Sequence, residues 1–150
     1  MANAYTQIYV MLVFGVKGRR NLITDDHEDE IYKYISGIIR NKAQKLLQIN
    51  RMPDHIHILA SLKPDKSISD LVRDIKSNSS KFINESKWLA DKFHWQMGFG
   101  AFSYSRSQID DVVHYIKDQK EHHKKISFKD EYIKLLDLFG IEYDERYLFQ

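Results

Sequence analysis

The stretch Met52-Pro53-Asp54-His55-Ile56-His57-Ile58-Leu59-Ala60-Ser61 decides how this chain is read. From His55 to Leu62 it is rich in strand formers, and Met52-Pro53-Asp54 before it is a turn. On a strand, successive side chains point to opposite faces. His55 and His57 therefore emerge together, about 6.6 Å apart along the chain, while Ile56 points into the core. Two aligned imidazoles suit a dry core poorly, because each needs a hydrogen-bond partner once buried. Paired imidazoles on a rigid strand are half of a divalent-metal site. Asp54 reads as a turn residue facing away from them.

Outward from this strand the elements alternate. Tyr5 to Phe14 reads as a first strand, followed by a basic loop from Gly15 to Thr24. Asp25 to Lys45 reads as a helix, with acids early, bases late and a stripe of Ile31, Ile35, Ile38 and Ile39. Leu46 to Arg51 is a short strand leading into the turn. Ser67, with Asp70 three residues on, starts a helix that carries Leu71, Val72, Ile75 and Ser79 toward Ser86. Phe93 to Ser105, aromatic and glycine-rich, reads as a bent strand or short hairpin. Ser107 with Asp110 then caps a helix whose stripe is Ile109, Val112, Val113 and Ile116. A last short helix runs from Ser127 to near Gly140. The order β-α-β-β-α-β-α predicts an α+β fold: a ferredoxin-like, split β-α-β antiparallel sheet with an additional C-terminal helix element carrying the tyrosine described next. Helices are expected on one face, leaving the other free for a ligand. One domain over 1–150 is expected at this length.

The other half of the metal site is expected in Val112-Val113-His114-Tyr115-Ile116-Lys117-Asp118-Gln119. Tyr115 and Gln119 stand one helical turn apart on the flank of the apolar stripe, able to share a cleft with the sheet without being buried. Two imidazoles and a neutral amide oxygen would leave Mg²⁺ or Mn²⁺ most of its charge and several open positions for phosphate oxygens. A phenol, with an ordinary pKa of about 10, needs such help to attack a phosphodiester. Tyr104, on the strand before the helix, could face the same cleft but lacks a metal-ligand partner one turn away and ranks below Tyr115 as a nucleophile. His114, His122 and His123 read as solvated.

The absence of cysteine excludes disulfides and thiolate zinc sites and is compatible with a cytoplasmic location. The N-terminal apolar run is too short and too alternating to span a bilayer, so no membrane association is expected. Net charge is only +2, yet the last 24 residues carry three bases and six acids against 20 and 15 in the rest. A mildly basic body with an acidic tail permits nucleic-acid binding without demanding it. Lys17, Arg19, Arg20, Arg51, Lys76, Lys81 and Arg106 are candidate phosphate contacts. Trp95, Phe99 and Phe102 could stack on bases, although aromatics in such a strand mostly serve the core.

With His55-Ile56-His57 as an HUH motif and Tyr115 to Gln119 as its partner helix, the chain resembles the single-tyrosine HUH transposases of the insertion-sequence two-hundred type. It is similar also to the repetitive-palindrome-associated tyrosine transposases. YTQIYV, LVRDIKSNSSKFIN and WQMGFGAFSYSRSQ extend the likeness over nearly the whole chain. The resemblance implies a homodimer acting on hairpins in single-stranded DNA. Tyr115 would be the nucleophile, giving a 5′-phosphotyrosine and a free 3′-hydroxyl that later attacks it. His55, His57 and Gln119 would be the metal ligands, and the tyrosine helix can serve the partner subunit's site. Two alternatives stay open. One is a ferredoxin-like module that binds single-stranded nucleic acid without catalysis. The other is a metal-dependent phosphodiesterase using water.

Overall fold

The computed structural model describes residues 4–149. Four strands, β1 (Tyr9–Gly15), β2 (Lys45–Met52), β3 (His55–Ser61) and β4 (Gly100–Tyr104), form one sheet in the order β2-β3-β1-β4. Every neighbouring pair is antiparallel. Helices α1 (Glu28–Asn41) and α2 (Ile68–Ser86) join β1 to β2 and β3 to β4. This is the ferredoxin-like arrangement, α+β, followed by α3 (Ile109–Lys117), α4 (Gln119–His122) and α5 (Phe128–Leu138).

The central strands β1 and β3 are buried on both faces, which explains their near-continuous apolar run. Alternation divides them between two cores. Val10, Leu12, Phe14, Ile56, Ile58 and Ala60 pack with the isoleucines of α1 and with Leu71, Val72, Ile75 and Ile83 of α2. Met11, Val13, Leu59 and Phe102 pack on the other side with Val112 and Ile116 of α3 and with Phe128, Tyr132, Leu135 and Leu136 of α5.

The second core corrects the expectation of a free sheet face. The acidic tail folds as an amphipathic helix that has no other apolar surface to bury against. Ser127 caps it by accepting the Asp130 N–H at 3.1 Å. Gly15 and Gly100 make room for it: a Cβ would stand 2.6 Å from the Phe128 ring at Gly15, and 2.8 Å from Tyr132 at Gly100.

Smaller differences are local. Ser67 caps α2 as its sequence indicates. The turn before α3 is closed one step earlier than expected. Ser105 and Gln108, rather than Ser107 and Asp110, form a reciprocal capping box, because the chain makes a short 3₁₀ turn before the α-helix begins. In the 93–105 segment only Gly100–Tyr104 pairs as a strand, with Trp95 bridging to Val16. Trp95 and Phe102 belong to the two cores, and Phe99 is partly buried against the first.

Candidate metal centre

His55 and His57 rise from β3 on the face covered by α3 and α5, and Ile56 lies in the opposite core. Both imidazoles are 0% exposed, so they line a closed site rather than an open cleft. Phe128 of α5 stacks on His55 with ring centroids 4.1 Å apart and planes 5° apart.

Asp54 does not face away as its place in the turn suggests. Its Oδ1 lies 2.7 Å from His55 Nδ1. A carboxylate only accepts, so Nδ1 donates and Nε2 presents its lone pair to the site. This is how a metal-ligating histidine is commonly oriented from behind. Burial alone would lower the His55 pKa, but the neighbouring Asp54 and Glu131 carboxylates outweigh it and the net shift is upward. His57, fully buried, is pulled down by that burial.

Glu131 of α5 stands at the middle of the site. Its carboxylate lies 3.5 Å from His55 Nε2, 3.2 Å from His57 Nε2 and 3.0 Å from His123 Nε2. Tyr115 donates its hydroxyl to the same carboxylate. Burial would raise the Glu131 carboxyl, but His57, His123 and His55 hold it far below the ordinary range. Burial and the Glu131 charge push the Tyr115 phenol well up, so in this arrangement it is a neutral hydrogen-bond donor. His55, His57 and Glu131 each offer one ligand atom within 4.8 Å of the others.

Gln119 is fully buried rather than flanking the stripe. The helix breaks at Asp118 and restarts with Gln119, whose Nε2 bonds back to the Tyr115 carbonyl at 3.3 Å. Its Oε1 has no hydrogen-bond partner, and neither do His55 Nε2 or either nitrogen of His57. Orphaned buried polar atoms are rare. Three on the imidazole pair and one on Gln119, a turn from Tyr115, suit a divalent cation.

His114 is exposed, as expected, but His122 and His123 depart from the solvated reading. His123 is 5% exposed and held at both ring nitrogens, Nδ1 lying 2.7 Å from the Ile126 carbonyl. His122 is partly exposed, with Nε2 3.9 Å from Glu131. Tyr104 lines a small cavity of about 250 Å³ with Tyr115, Leu135 and Leu138, beside the site and outside the imidazole cluster.

Sequence reading missed Glu131 and Asp54. Glu131 did leave a signal: it takes a core position in the α5 stripe Phe128, Glu131, Tyr132, Leu135 and Leu136, where an acid is out of place unless paired.

The candidate phosphate contacts scatter. Arg51 is 2% exposed and committed to Glu28 at 2.9 Å, to the Ile23 carbonyl at 3.0 Å and to Asp25. It is a structural arginine, turned inward because β2 packs beside the start of α1. Lys17, Arg19, Arg20, Lys81 and Arg106 are exposed. Of these, Arg20 pairs with Asp91 at 3.3 Å and Arg19 lies over the Phe149 ring. Lys76 is half-buried and donates to the carbonyls of Gln96, Met97 and Gly98; burial lowers its pKa to about 8. It lines a groove of about 420 Å³ between α2 and residues 94–99, with Arg73 and Ser77. A further hollow of about 610 Å³ adds Lys81, Lys87, Lys92 and His94. Gln96 N donates to the Gly15 carbonyl at 2.9 Å, and Gly15 pairs with His55. The groove lies on the α2 side of the sheet, and the imidazoles rise from the face covered by α5.

Comparison with known proteins agrees with this geometry. Residues 4–119 match the family model described as Transposase IS200 like. The ISDra2 transposase TnpA of Deinococcus radiodurans is 22% identical over 122 residues, covering 77% of this chain and 86% of that protein. A crystal structure of a transposase from Deinococcus radiodurans R1 superposes with a TM-score of 0.64 at 19% identity, over 79% of this chain and 95% of that one. A REP-associated tyrosine transposase bound to a REP hairpin does so at 0.64 and 17%, over 84% and 74%. The family match spans the imidazole strand and the tyrosine helix and ends at Gln119, before α5. The chain belongs to the IS200-like transposase family.

Proposed function

We propose that this transposase nicks and rejoins single-stranded DNA near hairpins, with Tyr115 as the nucleophile. The observation that supports the reading is that fully buried His55 Nε2, His57 Nε2 and Gln119 Oε1 lack hydrogen-bond partners, while the Tyr115 hydroxyl sits on the Glu131 carboxylate beside both imidazoles. Bound there, Mg²⁺ or Mn²⁺ would polarise the phosphate and stabilise the departing oxygen. His55, His57 and Gln119 would hold it, and Glu131 adds a carboxylate to that set. Tyr115 Oη forms a bond to phosphorus, the bond from phosphorus to the 3′ oxygen breaks, and the phenol gives up its proton as the 3′ oxygen gains one. The product is a 5′-phosphotyrosine with a free 3′-hydroxyl, which reverses the step to rejoin strands. Asp54 keeps His55 in the tautomer that presents Nε2.

The likeness to a hairpin-bound relative and the basic groove along α2 support a DNA hairpin as partner. Lys17, Arg19, Arg20, Lys76, Lys81 and Arg106 are proposed phosphate contacts, and Arg51 is withdrawn from that set. All of 1–150 is proposed to act as one domain, as a homodimer whose tyrosine helix can serve either subunit, in the cytoplasm. Among the described residues no helix is long and apolar enough to cross a membrane.

The test is to mix the protein with labelled single-stranded hairpin DNA and Mn²⁺. A denaturation-resistant adduct is expected, lost with EDTA and lost in Tyr115→Phe. An adduct that persists in Tyr115→Phe overturns the nucleophile. EDTA-indifferent binding without an adduct would make the chain a binding module. Free phosphate ends that survive loss of Tyr115 would make it a phosphodiesterase using water. Sedimentation at the 17.8 kDa monomer mass would remove the dimer.

A further inference from the structure

The break at Asp118 lies between the tyrosine and the amide that the site requires. The last two residues of α3, Ile116 and Lys117, have carbonyls that a helix end leaves short of backbone partners. Both are taken by one side chain: Asn50 Nδ2 donates to the Ile116 carbonyl at 2.8 Å and to the Lys117 carbonyl at 3.2 Å. Asn50 stands on the edge strand β2, in register with His57. Residues directly opposite on neighbouring strands put their side chains on the same face, with Cβ atoms about 5 Å apart. The amide therefore rises beside the imidazole and reaches across to the helix.

Its other end meets shared donors. Asn50 Oδ1 lies 3.0 Å from the Tyr32 hydroxyl, which is also 3.1 Å from Glu28 Oε1, and 2.9 Å from the Arg51 N–H, which also reaches the Tyr32 oxygen at 2.9 Å. The two carbonyls on Nδ2, which can only accept, give the amide one orientation. Flipping it would set its oxygen against two carbonyls and its NH₂ against an N–H. The far side of the break is tied to the same helix α1 that carries Tyr32: Lys120, next after Gln119, reaches Glu28 at 3.0 Å.

We propose that Asn50 is a positioning residue for the Tyr115–Gln119 unit. Gripping the backbone between the two side chains, it sets where phenol and amide stand relative to His57. It touches neither the reacting atoms nor the ligand atoms. This role rests on the reading of Tyr115 as nucleophile and Gln119 as ligand.

The test uses Asn50→Asp, Asn50→Ala and Tyr32→Phe in the full chain. Aspartate keeps the shape and the acceptor toward Tyr32 and Arg51 but turns an oxygen on the Ile116 and Lys117 carbonyls. Three readouts are taken at a temperature where each variant is folded: single-turnover adduct formation at saturating hairpin DNA with Mn²⁺, the DNA Kd, and hydrogen exchange along the chain. In Asn50→Asp the saturated rate is expected to fall about 100-fold, the cost of an ångström-scale misplacement. The Kd should stay within about twofold, and exchange should quicken over 116–123 and not over 128–138, with Asn50→Ala following the same pattern. Tyr32→Phe, which loosens the amide from behind, should give the same pattern at about fivefold, the worth of one hydrogen bond. A wild-type saturated rate in Asn50→Asp, or a rate loss accompanied by a comparable rise in Kd, overturns the proposal. Should the wild-type protein form no adduct, the nucleophile reading fails instead. Exchange then decides the clamp alone: quickening over 116–123 supports it and unchanged exchange removes it.

Discussion

Glu131 gathers more of the site than any other side chain, and its charge sets the protonation of its neighbours. Its carboxylate is one of the groups that raise His55. In Glu131→Gln that support disappears and only Asp54 opposes burial, so the His55 midpoint should move down. Histidine ring titration by NMR measures this, and an unmoved His55 midpoint refutes the arrangement. Stability follows with a definite sign. Glu131 and His57 both have depressed pKa values when folded. Each therefore contributes stability above its ordinary value, about 4.3 for the acid and 6.5 for the imidazole, that is lost as pH falls through the folded value. His55, raised, contributes below about pH 6.5 and loses that contribution as pH rises through its folded value. The wild-type urea midpoint should fall on acidification from pH 6.5 toward the acid range, and Glu131→Gln should flatten the lower part of that fall. The imidazole pair was legible in the sequence because a strand's period of two fixes which side chains share a face. Glu131 and Asp54 were not, because each is defined by a partner distant in sequence or by a turn folding back on its neighbour.

The helices and strands were legible in order and nearly in extent, since caps and periodic stripes are local signals. What covers the second face was not. An amphipathic stripe shows that α5 must bury one side, but not against which surface. The seat is cut by glycine: β4 begins at Gly100, where a Cβ would meet the Tyr132 ring at 2.8 Å and the Phe102 ring at 2.9 Å. Both rings are buried, at 4% and 1% exposure, so neither can swing aside. Gly100→Ala should therefore cost about 1–3 kcal/mol through overpacking. For a chain of this size that lowers Tm by roughly 2–4 °C per kcal/mol. An unchanged Tm would mean that α5 does not sit on β4 as described. The break at Asp118 was equally hidden. Tyr115 and Gln119 read as one continuous helix because nothing in their spacing announces Asn50, which arrives from 66 residues away in sequence.

Across the molecule, charge and family likeness divide along one line. The basic body carries the grooves along α2, and the acidic tail supplies the helix that closes over His55. The portion shared with IS200-like transposases ends at Gln119, whereas Glu131 comes from the segment beyond it. A family comparison restricted to 4–119 therefore contains the imidazoles, the tyrosine and the amide, and leaves out Glu131, the carboxylate that faces both Nε2 atoms.

The complete burial of His55, His57, Gln119 and Glu131 has a consequence for rates. An ion from solvent cannot meet these atoms by diffusion alone. α5 or the 118–127 connection must first open locally, an event that proteins sample at a cost below that of global unfolding. Uptake of Mn²⁺ should accordingly be fast at low concentration in proportion to the ion and then level off at the opening rate. Stopped-flow traces would show that plateau, and loosening α5 with Gly100→Ala should raise it. A rate that climbs linearly to high Mn²⁺ would mean the centre is reached without any gate.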